Sequence, residues 1–247
     1  MNSSSLSASQ RLRRFNLKPG MRLGNRYQVL EQLGRGWEGE VYKIRERGTG
    51  IERAAKLFFP HRNPKDRVAR IYAKKLHKLR FCPLVIQYIS QDQIELQGHT
   101  VTMLVSEFVE GELLSAFLKR QPGKRLAPFP AMHLLYALAS GVADMHHAGE
   151  YHGDLHMDNV IIQRCGLEFD CKLLDFYDWE GSKKESRQED IVDLIKLFHE
   201  ALGGPKLYAR QPPEVKAICR GLKRSLILAE FPRIEALITH LETFQWD

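Results

Sequence analysis

An α+β fold in two unlike halves is predicted by three features of this 247-residue chain. First, short β-branched and aromatic runs separated by glycine turns fill the stretch from Tyr27 to Val109. Second, the apolar spacing turns helical after Gly111. Strand-rich and helix-rich segments kept apart along a chain give α+β rather than alternating α/β architecture. Third, the composition is that of an ordinary globular protein, 43% hydrophobic and 27% charged, which excludes a mainly disordered, fibrous or membrane-embedded chain. The longest nearly apolar run, Leu134 to Ala143, is far short of the roughly 20 residues that span a bilayer.

The elements follow in order. Residues 1–20 read as a flexible tail closed by Pro19-Gly20, residues 21–109 as a first lobe and 110–247 as a second. Five strand-like runs are expected in the first lobe: Tyr27–Leu33, Val41–Glu46, Ile51–Phe59, Leu84–Leu96 and Thr100–Val109. One helix interrupts them from Pro64 to Arg80, because Val68, Ile71, Tyr72, Leu76 and Leu79 recur at intervals of three and four. Helical spacing returns in Leu113–Leu118, Pro130–Ala148, Glu189–Leu202, Glu214–Leu222 and Ile234–Phe244. Two short strands, Val160–Gln163 and Cys171–Leu174, lie in an irregular stretch between the second and third of these.

Charge is uneven. Residues 1–110 hold 20 Lys/Arg against 10 Asp/Glu, and residues 111–247 hold 17 against 20. A basic first half and an acidic second half suit an anionic ligand held with a metal on the acidic side. The four cysteines (Cys82, Cys165, Cys171, Cys219) show no paired CxxC spacing, so they read as reduced thiols. The Ser-rich, then basic N-terminus has no apolar core of a signal peptide, and a cytoplasmic location is expected.

Gly34-Arg35-Gly36-Trp37-Glu38-Gly39-Glu40-Val41 fits G-x-G-x-x-G-x-V. Dinucleotide folds need a helix after such glycines. Val41-Tyr42-Lys43-Ile44 favours a strand, so the motif reads as a strand–loop–strand flap whose glycines let backbone approach phosphates. The next strand carries Lys56 among Ala54, Ala55, Leu57 and Phe58, within reach of α/β-phosphates as a point charge. Further on, Asp154 and Asn159 lie in a short polar loop that leads into an apolar strand, and Asp175 ends the next apolar strand. Two acids and an amide are hard oxygen ligands suited to Mg2+ on phosphates, and one acid can take the proton of an attacking hydroxyl.

On these motifs the chain resembles the protein-kinase superfamily over about residues 21–247. The stretch from Leu17 to Tyr42 is similar to bacterial eukaryotic-like Ser/Thr kinases. The loop His152-Gly153-Asp154-Leu155-His156 is more similar to aminoglycoside and choline phosphotransferases and to lipopolysaccharide-core kinases. The resemblance implies a bilobal fold, a five-stranded antiparallel N-lobe sheet with one helix, and a mainly helical, truncated C-lobe. It implies ATP and Mg2+ as cofactors. By resemblance Gly34, Gly36, Gly39 and Val41 belong to the glycine-rich loop and Lys56 is the β3 lysine. Asp154 is the catalytic-loop aspartate, Asn159 a metal-binding asparagine, and Asp175 the metal-binding aspartate. Glu107 and Val109 fall where the hinge to adenine would lie, with Ser106 as gatekeeper, and Asp190 matches the buried aspartate that opens a large C-lobe helix. His152 is implied to pack inward.

Four departures stand out. No Glu occurs between Arg53 and Ile94, so the helix glutamate that pairs with the β3 lysine is missing, and Tyr72 or Ala73 sits near its place. The resemblance leaves Asp175 as the nearest carboxylate to Lys56 without ATP. Glu38 at the flap tip is unexpected, because a carboxylate beside phosphates is unfavourable. Gly153 replaces an arginine, and Tyr177 replaces the glycine after Asp-Phe. Only 14 residues separate Asp175 from Asp190, and the segment Phe176–Glu189 is expected to need no phosphorylation.

Three functions compete: a protein Ser/Thr kinase, a small-molecule or saccharide kinase, and a nucleotide-binding pseudokinase module. Arg67, Arg70, Lys74 and Lys78 form a basic stripe on helix 64–80, read first as a solvated face and otherwise as a docking face for an acidic partner. Without interleaved aromatics it argues against nucleic acid. His146, His147 and His156 read as surface or helix-end residues rather than zinc ligands.

Overall fold

The computed structural model describes residues 12–166, 168–177 and 182–245. The chain divides into two compact units, one running to Lys74 and taking in Gln87–Phe108, the other holding Lys75–Ile86 and the chain from Val109 onward. Residues 75–86 group with the chain from Val109 onward.

In the first unit β1 (Arg22–Leu23), β2 (Tyr27–Arg35), β3 (Gly39–Glu46), β4 (Glu52–Phe58), β5 (Tyr88–Leu96) and β6 (His99–Glu107) form a six-stranded sheet. Their order is β1-β2-β3-β4-β6-β5, antiparallel throughout. The sheet has one strand more than the five expected, because Arg22–Leu23 pairs with Tyr27–Gln28. The strand expected from Leu84 starts only at Tyr88. Leu84 and Val85 are buried in the second unit instead, where the Leu84 carbonyl accepts from the Leu173 amide at 2.7 Å.

The expected tail is shorter than residues 1–20. Phe15 (1% exposed) and Leu17 pack into the core formed with Leu23, Tyr27, Val29, Ile44, Leu57 and Met103. Burying an aromatic ring stabilises by about 1.5–3 kcal/mol, and here the polar backbone is matched as well. The Phe15 amide donates to Glu40 Oε2 at 3.2 Å, and Gln97 donates to the Phe15 carbonyl at 2.8 Å. Burial and a hydrogen bond to the Glu40 carboxylate push the Tyr42 hydroxyl pKa up.

The helix expected over 64–80 is observed as α1 (Arg67–Lys78), preceded by a single 3-10 turn at Pro64–Asp66. In the second unit β7 (Glu112–Leu113), β8 (Val160–Cys165) and β9 (Glu168–Leu173) form a small antiparallel sheet. Seven helices surround it among the described residues: α2 (Leu114–Arg120), α3 (Pro128–His147), α4 (Lys183–Ala201), α5 (Pro205–Tyr208), α6 (Pro213–Cys219), α7 (Arg224–Glu230) and α8 (Ile234–Thr243). α4 begins six residues before the expected Glu189, because its first turns are polar and carry no apolar period. α7 went unread for its shortness. No described helix is long and apolar enough to cross a membrane.

Gly39 shows why the flap needs glycine. A Cβ there would lie 1.9 Å from the Leu57 carbonyl oxygen on β4, a backbone atom that cannot swing aside. Gly39→Ala is expected to cost at least about 2 kcal/mol by overpacking, read as a lower urea midpoint with unchanged slope. An unchanged midpoint would contradict this packing.

Candidate active site

The first unit holds the flap. Gly34 pairs with Val41 and Arg35 with Glu40, and the Gly36 amide donates to the Gly39 carbonyl at 2.9 Å to close the tip. Cβ atoms built on Gly34 and Gly36 would meet nothing within 4 Å, so the backbone there is open to a ligand. Val41 lies opposite Lys56 across the β3–β4 ladder. Lys56 Nζ donates to Glu38 Oε2 at 2.8 Å and sits 4.9 Å from the Tyr72 ring centre. The carboxylate at the flap tip, unexpected from sequence, is thus a partner of the lysine. Asp66, the acid that immediately precedes α1 in the chain, instead accepts from Gln93 at 2.8 Å, from Asn63 at 3.3 Å and from Thr102. Trp37, 71% exposed, lies under the Arg62 guanidinium at 3.1 Å. At the far end of the unit Ser106 is buried, and Glu107 accepts from the Gln87 amide through Oε1 and donates its own amide to the Gln87 carbonyl.

Val109 opens the long chain segment of the second unit. That unit brings Asp154 and Asn159 together. Asn159, 7% exposed, donates through Nδ2 to the Asp154 carbonyl at 2.9 Å and more weakly to Asp154 Oδ2 at 3.4 Å. Its Nδ2 also lies 2.9 Å from His156 Nε2. All these contacts run through Nδ2, so the amide oxygen remains as a ligand atom. The Asn159 carbonyl accepts the Leu174 amide at 2.8 Å, which ties the residue before Asp175 to the same loop. Asp175 has φ 50°, a left-handed conformation uncommon outside glycine and found where the surroundings over-determine it.

His152 is fully buried, as the resemblance implied, and works as a brace. Its Nε2 donates to the Leu174 carbonyl at 2.8 Å and its Nδ1 accepts the Asp154 amide at 3.2 Å, so one neutral ring holds both acidic segments. Burial pushes the His152 pKa down from 6.5. The unfolded chain therefore binds a proton that the folded chain resists, and stability present above pH 6.5 is lost as pH falls below it. Denaturant titrations at pH 7.5 and 5.5 are expected to show this loss, and His152→Asn to diminish it.

Asp190 underlies the loop. It is fully buried, with Oδ2 accepting the His152 amide at 2.8 Å and Oδ1 the Gly153 amide at 2.8 Å. Gly153, at φ 86°, adopts the turn that aims both amides at one carboxylate, and few side chains tolerate that φ. His146, in the last turn of α3 as a helix-end residue, is buried rather than on the surface, and its Nε2 lies 2.9 Å from Asp190 Oδ2. Glu38 and His146 were missed as functional residues. The absence of any Glu from Arg53 to Ile94, beside a carboxylate at the flap tip, was the available signal for Glu38. Residues 178–181, part of the segment expected to need no phosphorylation, lie outside the described residues.

The family model "Protein kinase domain" matches residues 27–195. The chain is 30% identical over 154 residues to cyclin-dependent kinase B2-2 of Arabidopsis thaliana, covering 60% of this chain and 48% of that one. It is 33% identical over 156 residues to serine/threonine-protein kinase pkn2 of Myxococcus xanthus, covering 62% and 18%. The chain spans about half the length or less of the curated relatives it matches. Among solved structures it is similar to the Mycobacterium tuberculosis PknI kinase domain, with a TM-score of 0.66 and 19% identity over 92% of this chain and 98% of that one, a likeness of fold. With a flap, a buried brace and a family match that covers more than half its length, this chain belongs to the protein kinase domain family.

Proposed function

We propose that this chain is an ATP-dependent protein serine/threonine kinase. The Asn159–Asp154 pairing supports it best, because it leaves an amide oxygen for a cation beside a half-exposed carboxylate. In the first unit the backbone of Gly34, Gly36 and Gly39 would lie along phosphates, with Val41 and Glu107 on the nucleotide and Lys56 on the α/β-phosphates. In the second unit Val109 would meet the adenine, and Asn159 and Asp175 would hold Mg2+. Their oxygen donors fit that hard cation. Mg-ATP, when bound, supplies the phosphoryl group and the neutralising charge. Asp154 would orient the acceptor hydroxyl and take its proton. His152 and Asp190 would hold the backbone of that loop rigid.

The short link from Asp175 to Asp190 favours a second reading, a small-molecule or saccharide acceptor. Of the basic stripe, Lys78 pairs with Glu150, while the exposed Arg67, Arg70 and Lys74 pair with no acid among the described residues and support an acidic protein partner. The unpaired spacing of Cys82, Cys165, Cys171 and Cys219 supports a cytoplasmic place of action.

Incubation with Mg-ATP followed by mass spectrometry of protein and metabolite pools tests the reading. Phosphosites on proteins are expected. A phosphorylated metabolite alone would select the second reading. Mg-ATP at a hundredfold excess over its Kd should stabilise the chain by about 2.7 kcal/mol, and no thermal shift would select neither.

A further inference from the structure

We infer that Glu38, at the tip of the glycine flap, is the positioning residue of Lys56 and takes the place of the missing helix carboxylate. The inference rests on the kinase reading of Lys56. Lys56 is only 12% exposed at its side chain, set between the Tyr72 ring (4.9 Å) and the Phe58 ring (5.4 Å). An ammonium so placed needs an anion, since burial of an uncompensated charge is costly. α1, from Arg67 to Lys78, contains no acid, and Tyr72 presents an aromatic ring to the lysine. Asp66 is committed to Gln93, Thr102 and Asn63.

Glu38 is built into place from both ends. Its carboxylate accepts from Lys56 Nζ at 2.8 Å, and its backbone carbonyl accepts the Phe59 amide at 2.8 Å just beyond β4. The neighbouring Trp37 is held under Arg62, and Gly39 on the other side is paired with Phe58 across the β3–β4 ladder. The flap tip therefore cannot rise far without pulling its carboxylate off the lysine. Flap closure and lysine placement become one event, whereas a helix glutamate would make them separate.

The test uses the full chain, with ADP release from Mg-ATP as the rate and calorimetry for Mg-ATP affinity. Glu38→Gln is expected to lose at least about tenfold in kcat with a smaller change in KM, the pattern of an interaction realised in the transition state. Glu38→Asp, which keeps the charge, should retain more of the rate than Glu38→Gln. In a Lys56→Met background Glu38→Gln should have little further effect, because Glu38 acts through the lysine. Overturning results are a wild-type rate in Glu38→Gln, a faster rate or tighter Mg-ATP binding in that variant, or an undiminished effect in the Lys56→Met background. A wild-type chain that neither binds nor turns over Mg-ATP would overturn the kinase reading together with this role. Wild-type turnover with an indifferent Glu38→Gln would overturn this role alone.

Discussion

Asp154→Asn is expected to lower phosphoryl transfer by about a hundredfold to ten-thousandfold, the usual worth of a positioned general base, while Mg-ATP still binds. The carboxylate is half exposed, with a weak hydrogen bond from Asn159 at 3.4 Å and His156 Nε2 3.5 Å away, so an acceptor hydroxyl can reach it. The amide keeps the shape and cannot accept that proton. Binding should survive because the metal ligands assigned here are Asn159 and Asp175. ADP release and calorimetry on the same preparation separate the two effects. A variant that turns over at the wild-type rate would remove Asp154 from the mechanism, and one that no longer binds Mg-ATP would make it a binding residue.

Asp190→Ala is expected to be the most damaging single change to stability. It strands the His152 and Gly153 amides, each 2.8 Å from the lost carboxylate, in a fully buried place. Each orphaned donor costs about 1–3 kcal/mol, so a loss of about 2–6 kcal/mol is expected from a total that is commonly only about 5–15 kcal/mol. Urea denaturation measures it. A loss below about 1 kcal/mol would mean that water replaces the carboxylate. His146→Ala removes one contact from the same carboxylate and should cost less.

Much of the fold was legible in local pattern. The 3–4 spacing of Val68, Tyr72 and Leu76 specified α1, and the β-branched runs around the glycines specified β2, β3 and β4. These signals are short-range, set by which face of an element is apolar. Leu84 and Val85 misled for the same reason, since an apolar run does not say which partner buries it. Phe15 and Leu17 carried no periodic signal. Their place in the core depends on Glu40 and Tyr42, which lie 25 residues away.

The family is legible in Gly34, Gly36, Gly39, Lys56, Asp154, Asn159 and Asp175 at their spacings. The sequence also determined that no acid of α1 could meet Lys56, because none exists there. That Glu38 meets Lys56 is visible only in the folded sheet. Glu38 and Lys56 are 18 residues apart, and they meet because β3 and β4 pair in a register that sets Gly39 opposite Phe58. That register is a cooperative property of the whole sheet and its core, so the partner of a charge is legible only after the strands have been paired.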